Sequence, residues 1–139
     1  MNIFCAYAFT GEDLSAVTER MKLVVDTLNG SGHDTYCNLF DPVVDDIKMR
    51  GNDIKEIFAR AFEVISTKEA VVAIVTSPNK SVGQIMEIGT ALSQDKPVFV
   101  LEHSSAVGST YLPKLATASY EWSDLASLEE ALTRIPSNV

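Results

Sequence analysis

Apolar and polar positions along this chain follow two periods. Five short runs rich in apolar residues, Asn2 to Ala8, His33 to Asn38, Ala70 to Thr76, Pro97 to Leu101 and Ala116 to Trp122, have the length and the bounded ends of strands. The third, Ala70-Val-Val-Ala-Ile-Val-Thr76, is apolar on both faces, as a central parallel strand is. Between the runs lie stretches of helical period. Leu14, Val17, Met21, Val24, Val25 and Leu28 make one apolar stripe that Gly30 and Gly32 stop, and Ile54, Ile57, Phe58, Ala61, Phe62 and Ile65 make a second from about Asp53. Ser81 is placed to cap a third helix running to about Gln94, and a last helix runs from about Asp124 to Ile135. Asp41-Pro42 turns the chain away from the second strand, and Ser77 to Lys80 form a loop.

Strands alternating with helices predict a parallel sheet. The expected architecture is a flavodoxin- or Rossmann-like α/β/α sandwich with five strands in the order 2-1-3-4-5, and 139 residues make one domain, residues 1–139. Such sheets bind ligands where the strand order reverses, outside the carboxyl ends of strands one and three. Two loops therefore become suspects, Tyr7 to Asp13 and Ser77 to Gly83.

Charge and composition narrow the partners. Eleven Lys and Arg against 19 Asp and Glu give a net charge of −8, a field that repels phosphate backbones and anionic membranes. A small molecule is the expected ligand, with neither nucleic acid nor membrane as partner. No apolar stretch nears the roughly 20 residues of a membrane helix, and Met1 enters an apolar strand with no basic segment before it, so a cytoplasmic location is expected. Cys5 and Cys37 read as buried free thiols in that compartment, and His33 and His103 have no companions at ligand spacing, so no metal is expected. Neither G-x-G-x-x-G nor G-x-x-x-x-G-K-[ST] occurs, and no cofactor is expected. No G-x-S-x-G elbow is present for a hydrolase triad.

Within the suspect loops, Ser81 and Gly83 open a helix whose free N–H groups favour an anion, although a plain cap explains Ser81 as well. A wheel with Val82, Ile85, Met86, Gly89 and Leu92 as the core face puts Glu87 nearly opposite, away from the core. There it is flanked by Gly83 and Ala91 with Thr90 beside it, either as a solvated acid or as an acid that a ligand can approach closely. Tyr7 and Phe9 share one face at the end of strand one, to stack on a base or to pack the core with Ile3 and Cys5.

The run Ser81-Val-Gly83-Gln-Ile-Met-Glu87-Ile-Gly89-Thr-Ala91, preceded by a strand ending in Val-Thr-Ser-Pro and followed by Lys96-Pro97-Val98, resembles the nucleoside 2-deoxyribosyltransferase-like family, which includes the 2′-deoxynucleoside 5′-phosphate N-hydrolases. The likeness extends weakly over nearly the whole chain, opening strand included. It implies that Glu87 is a nucleophile that attacks the anomeric carbon, expels the base and forms a glycosyl ester, which water or a second base resolves. It further implies that Ser81 contacts a 5′-phosphate and that a polar residue among Ser109, Thr110 and Tyr111 completes the site of a neighbouring subunit, making a homodimer or higher homo-oligomer.

The chain departs from the family pattern at four places. The tyrosine that orients the nucleophile is Ile3, the aspartate that helps protonate the leaving base is Ala61, the glycine two residues before the nucleophile is Ile85, and the phosphate-binding arginine after strand one is absent, with Phe9 in that region. Tyr7, Glu12 and Asp13 are the residues at hand to replace the missing acid. The expected function is cleavage or transfer at the N-glycosidic bond of a nucleoside or nucleoside 5′-monophosphate, with Glu87 as nucleophile, Ser81 and Gly83 at a phosphate or sugar hydroxyl, and Tyr7 and Phe9 holding the base. The alternatives are a nucleotide-binding or regulatory module that kept the fold and lost catalysis, and a scaffold whose Gly83/Ala91 helix face is only an oligomer contact.

Overall fold

The apolar runs pair as one parallel sheet. In the computed structural model, which describes residues 1–9 and 11–138, the strands are β1 (Asn2–Tyr7), β2 (Asp34–Tyr36), β3 (Ala70–Val75), β4 (Val98–His103) and β5 (Ala118–Trp122). They lie in the order β2-β1-β3-β4-β5, every pair parallel, in the expected arrangement. Thr10, in the turn expected at Phe9 to Gly11, lies outside the described residues.

The helices between them are α1 (Leu14–Gly30), α2 (Pro42–Met49), α3 (Ile54–Ser66), α4 (Val82–Ser93), α5 (Leu112–Leu115) and α6 (Leu125–Leu132). Aspartate or serine caps most of them: Asp13, Asp41, Asp53, Ser81 and Asp124 each accept a backbone N–H of the first turn. The sequence reading missed α2 and α5, because each is a short helix with proline in its first turn, where proline also signals a turn.

Alternate strand residues divide the core between two layers. Ile3, Cys5, Val72, Ile74, Phe99 and Leu101 face α1 and α6, packing on Val17, Met21, Val24, Leu128 and Leu132. Phe4, Ala6, Val71, Ala73, Val98 and Val100 face α3 and α4, against Ala61, Ile65, Ile88 and Ala91. Cys5 and Cys37 are both free and buried. Asp41 ties the end of β2 to α3: Arg60 Nε donates to its Oδ2 at 2.6 Å and the Tyr36 hydroxyl at 2.5 Å, while the Val43 N–H reaches Oδ1. Burial alone would raise this carboxyl, but those bonds hold it below its ordinary value.

Candidate active site

At the carboxyl edge, β1 and β3 diverge toward α1 and α4, and a cleft of about 330 Å³ opens there. Its walls come from the end of β1 (Tyr7, Phe9), the turn after β2 (Asn38), the first half of α3 (Ile54, Ile57, Phe58, Ala61) and the start of α4 (Ser81, Gly83, Gln84, Glu87).

The buried side of α4 is polar at this end. Gln84 reaches under the helix, and its Nε2 donates to the carbonyls of Ala6 at 3.3 Å and Ile74 at 2.8 Å, pinning the helix to the ends of both central strands. Three residues on, Glu87 lies on the same face and is only 6% exposed. No hydrogen bond from a described residue offsets the cost of burying its charge, and burial pushes its carboxyl up to about 8. The helical wheel therefore fails here. The face of α4 that meets the sheet is Gln84, Glu87, Ile88 and Ala91, while Val82, Ile85 and Met86 are exposed. The physical reason is that Gln84 finds two strand carbonyls beneath the helix as acceptors, a contact that an apolar side chain cannot make.

Ser81 Oγ accepts the Gln84 N–H at 3.4 Å, a weak cap that leaves the hydroxyl at the cleft. Gly83 is where α3 comes close: a Cβ there would stand 3.4 Å from Phe58 Cζ. Tyr7 and Phe9 both line the cleft, Tyr7 half-buried and Phe9 exposed. Burial first, then the neighbouring Cys37 and Glu87 acids, raises the Tyr7 phenol well above its ordinary value, so it remains a neutral hydrogen-bond donor.

The other candidates for the missing acid are engaged elsewhere. Glu12 accepts from Arg20 at 3.1 Å and from the Thr76 hydroxyl, and Asp13 caps α1. Ala61 faces the cleft without an acid, and Ile3 is wholly buried in the core. Ser109 and Thr110 do not line the cleft within one chain; they border a second cavity of about 580 Å³ with Lys80, Ile85 and Tyr111. Among the described residues, no group of His, Cys, Asp and Glu is disposed to hold a metal ion, and no helix is long and apolar enough to cross a membrane.

Sequence reasoning missed two parts of this cleft. The side-chain amide oxygen of Asn38, Oδ1, is shielded from solvent with no hydrogen-bond partner among the described residues, and the residue opens a short turn where the sequence pattern predicts the tail of a strand. The apolar stripe of α3 gives no sign of a cleft, yet Ile54 at its start is 55% exposed because the first turns of α3 overhang the cleft rather than the sheet.

Neither a protein-family model nor a curated protein sequence matches the chain. Solved structures do. The CMP N-glycosidase of Clostridium botulinum superposes with a TM-score of 0.70 at 13% identity, covering 95% of this chain and 97% of that one. A conserved protein from Enterococcus faecalis gives 0.69 at 19% identity over 96% and 98%. The 2-deoxyribosyltransferase of Bacillus psychrosaccharolyticus gives 0.61 at 17% identity over 95% and 96%. The chain shares the fold of these proteins. The likeness covers 95% or more of each of these chains, so it concerns the whole α/β fold rather than a part of it.

Proposed function

We propose that the chain is a divergent member of the nucleoside 2-deoxyribosyltransferase-like family that cleaves or transfers the N-glycosidic bond of a nucleoside-type substrate, with Glu87 as nucleophile. One observation carries this reading: a buried carboxyl with no hydrogen-bond partner among the described residues opens into a cleft at the switch point, on the helix with the S-x-G-x-x-x-E pattern. Structural matches to a CMP N-glycosidase and a 2-deoxyribosyltransferase support the reaction class.

In this mechanism a Glu87 carboxylate oxygen bonds to C1′ as the C1′–N bond breaks. The bonding pair leaves with the base, which takes up a proton. Water or a second base then attacks C1′, releasing the sugar or a new nucleoside and restoring the carboxylate. Tyr7, whose phenol stays protonated beside Glu87, supports the departing base by a hydrogen bond, and the proton that the base takes up comes from water. Phe9 and Tyr7 flank the base, and Ser81 and Gly83 sit at the sugar's 5′ end. Glu87 attacks only as the anion, so base release rises with pH toward about 8 unless bound substrate lowers its pKa.

The outward face of α4 supports assembly of two copies. Val82 is 70% exposed, Ile85 and Met86 join it, and Tyr111 and Leu115 extend the patch across the second cavity that Ser109 and Thr110 border. A homodimer built on this face would bury that patch and the loop of Ser109 and Thr110 beside it.

A second reading, a nucleotide-binding module without catalysis, is favoured by Ala61 at the cleft wall and by the engagement of Glu12 and Asp13 elsewhere. The test is chromatographic base release from ribo- and deoxyribonucleosides and their 5′-monophosphates, with and without a free acceptor base. Release by the wild type and its loss in Glu87→Gln support the enzyme; tight binding with no release supports the module.

A further inference from the structure

We propose that the cleft takes the unphosphorylated nucleoside, and that Phe58 sets this preference by turning the sugar's 5′ end of the site apolar. The proposal rests on the N-glycosidic reading of the site above.

Its basis is what faces the first turn of α4. Free N–H groups at a helix start attract an anion, and a 5′-phosphate would look for them here. In this chain the ring edge of Phe58 is packed against that turn: a Cβ on Gly83 would meet Phe58 Cζ at 3.4 Å and Cε1 at 3.5 Å. The ring is held in place by Phe62, 5.9 Å away centre to centre. Ile54 and Ile57, on the same helix, continue the apolar wall into the cleft, and Phe9 borders it from the end of β1.

No cation answers a phosphate there. Among the described residues lining the cleft there is neither lysine nor arginine. Lys80, next in sequence to Ser81, borders the second cavity instead. Arg20 is paired with Glu12 at 3.1 Å, and Arg60, on the same helix as Phe58, is paired with Asp41 at 2.6 Å. A phosphate dianion would give up its water against aromatic and aliphatic carbons inside a molecule of net charge −8. A neutral 5′-hydroxyl meets no such cost and finds the Ser81 hydroxyl as a partner.

The experiment measures kcat/KM for each nucleoside and its 5′-monophosphate, on the wild type, Phe58→Arg and Ile54→Lys. Ile54 is 55% exposed, so that second variant brings a cation to the cleft without disturbing the core. The wild type is expected to favour the nucleoside by about tenfold or more, and each variant to shift the ratio toward the monophosphate by a similar factor, as a charge-assisted contact does. A wild type that prefers monophosphates, or a ratio that neither variant moves, overturns the proposal. Calorimetric binding to Glu87→Gln separates this outcome from failure of the catalytic reading. If no substrate is cleaved but nucleosides bind about tenfold tighter than their monophosphates, the proposal stands while catalysis falls. Equal or tighter binding of monophosphates, or no binding of either, overturns it.

Discussion

Replacing Glu87 by glutamine is expected to change how the fold's stability depends on pH, in a direction fixed by burial. The carboxyl has an ordinary value of 4.5 and stands at about 8 in the fold. A group raised by folding contributes stability that is complete below its unfolded value and is lost as pH rises toward its folded value, because the unfolded chain ionises first. Across that window the loss is about 1.4 kcal/mol per pH unit, on the order of 5 kcal/mol in all, a large part of the net stability of a typical domain. Glutamine keeps the shape and does not ionise. Urea unfolding at pH 5, 6.5 and 8.5 should therefore show the two proteins close together at pH 5, and the variant should be more stable by several kcal/mol at pH 8.5. Taking the difference between the two proteins cancels the titration of His33 and Glu102, which burial also shifts. Parallel curves for wild type and variant would show that Glu87 is solvated in the folded protein, and the picture of a buried acid would fail.

Gln84→Leu removes both donors to Ala6 and Ile74 and should cost about 1–3 kcal/mol in urea unfolding, with base release falling further as the start of α4 loses its anchor. Asp41→Ala leaves Arg60 and Tyr36 without their acceptor, and a loss of about 2–4 kcal/mol is expected by the same assay. If two copies assemble on the exposed face of α4 as proposed, light scattering should give the wild type the mass of a dimer and Ile85→Glu, which places a charge in that face, the mass of a monomer; equal masses would contradict assembly there.

Strand order and most helix starts were legible because each rests on local chemistry: apolar runs bounded by turn residues, and Asp or Ser where an N–H needs an acceptor. The candidate cleft was legible in part of its lining but not in the orientation of α4. Glu87 and Ser81 stood out by their spacing, yet the wheel of α4 turned Glu87 away from the core, since apolarity alone ranks Ile85 and Met86 as interior. Which face of that helix meets the sheet depends on Gln84 and two strand carbonyls that adjoin only in the fold. The same holds for Asn38 and Phe58, one beyond the end of β2 and one on α3, which the topology alone brings to the cleft.

A nucleophilic Glu87 forms a covalent bond to the sugar, and that bond can be trapped. Incubating the protein with a 2′-fluoro analogue of a nucleoside it cleaves slows resolution of the glycosyl ester, and mass spectrometry of the digested protein then locates the added sugar. The expected product is a gain of one fluorosugar on the peptide containing Glu87, absent from Glu87→Gln. Base release with every peptide unmodified, or a sugar carried by another residue, would contradict it.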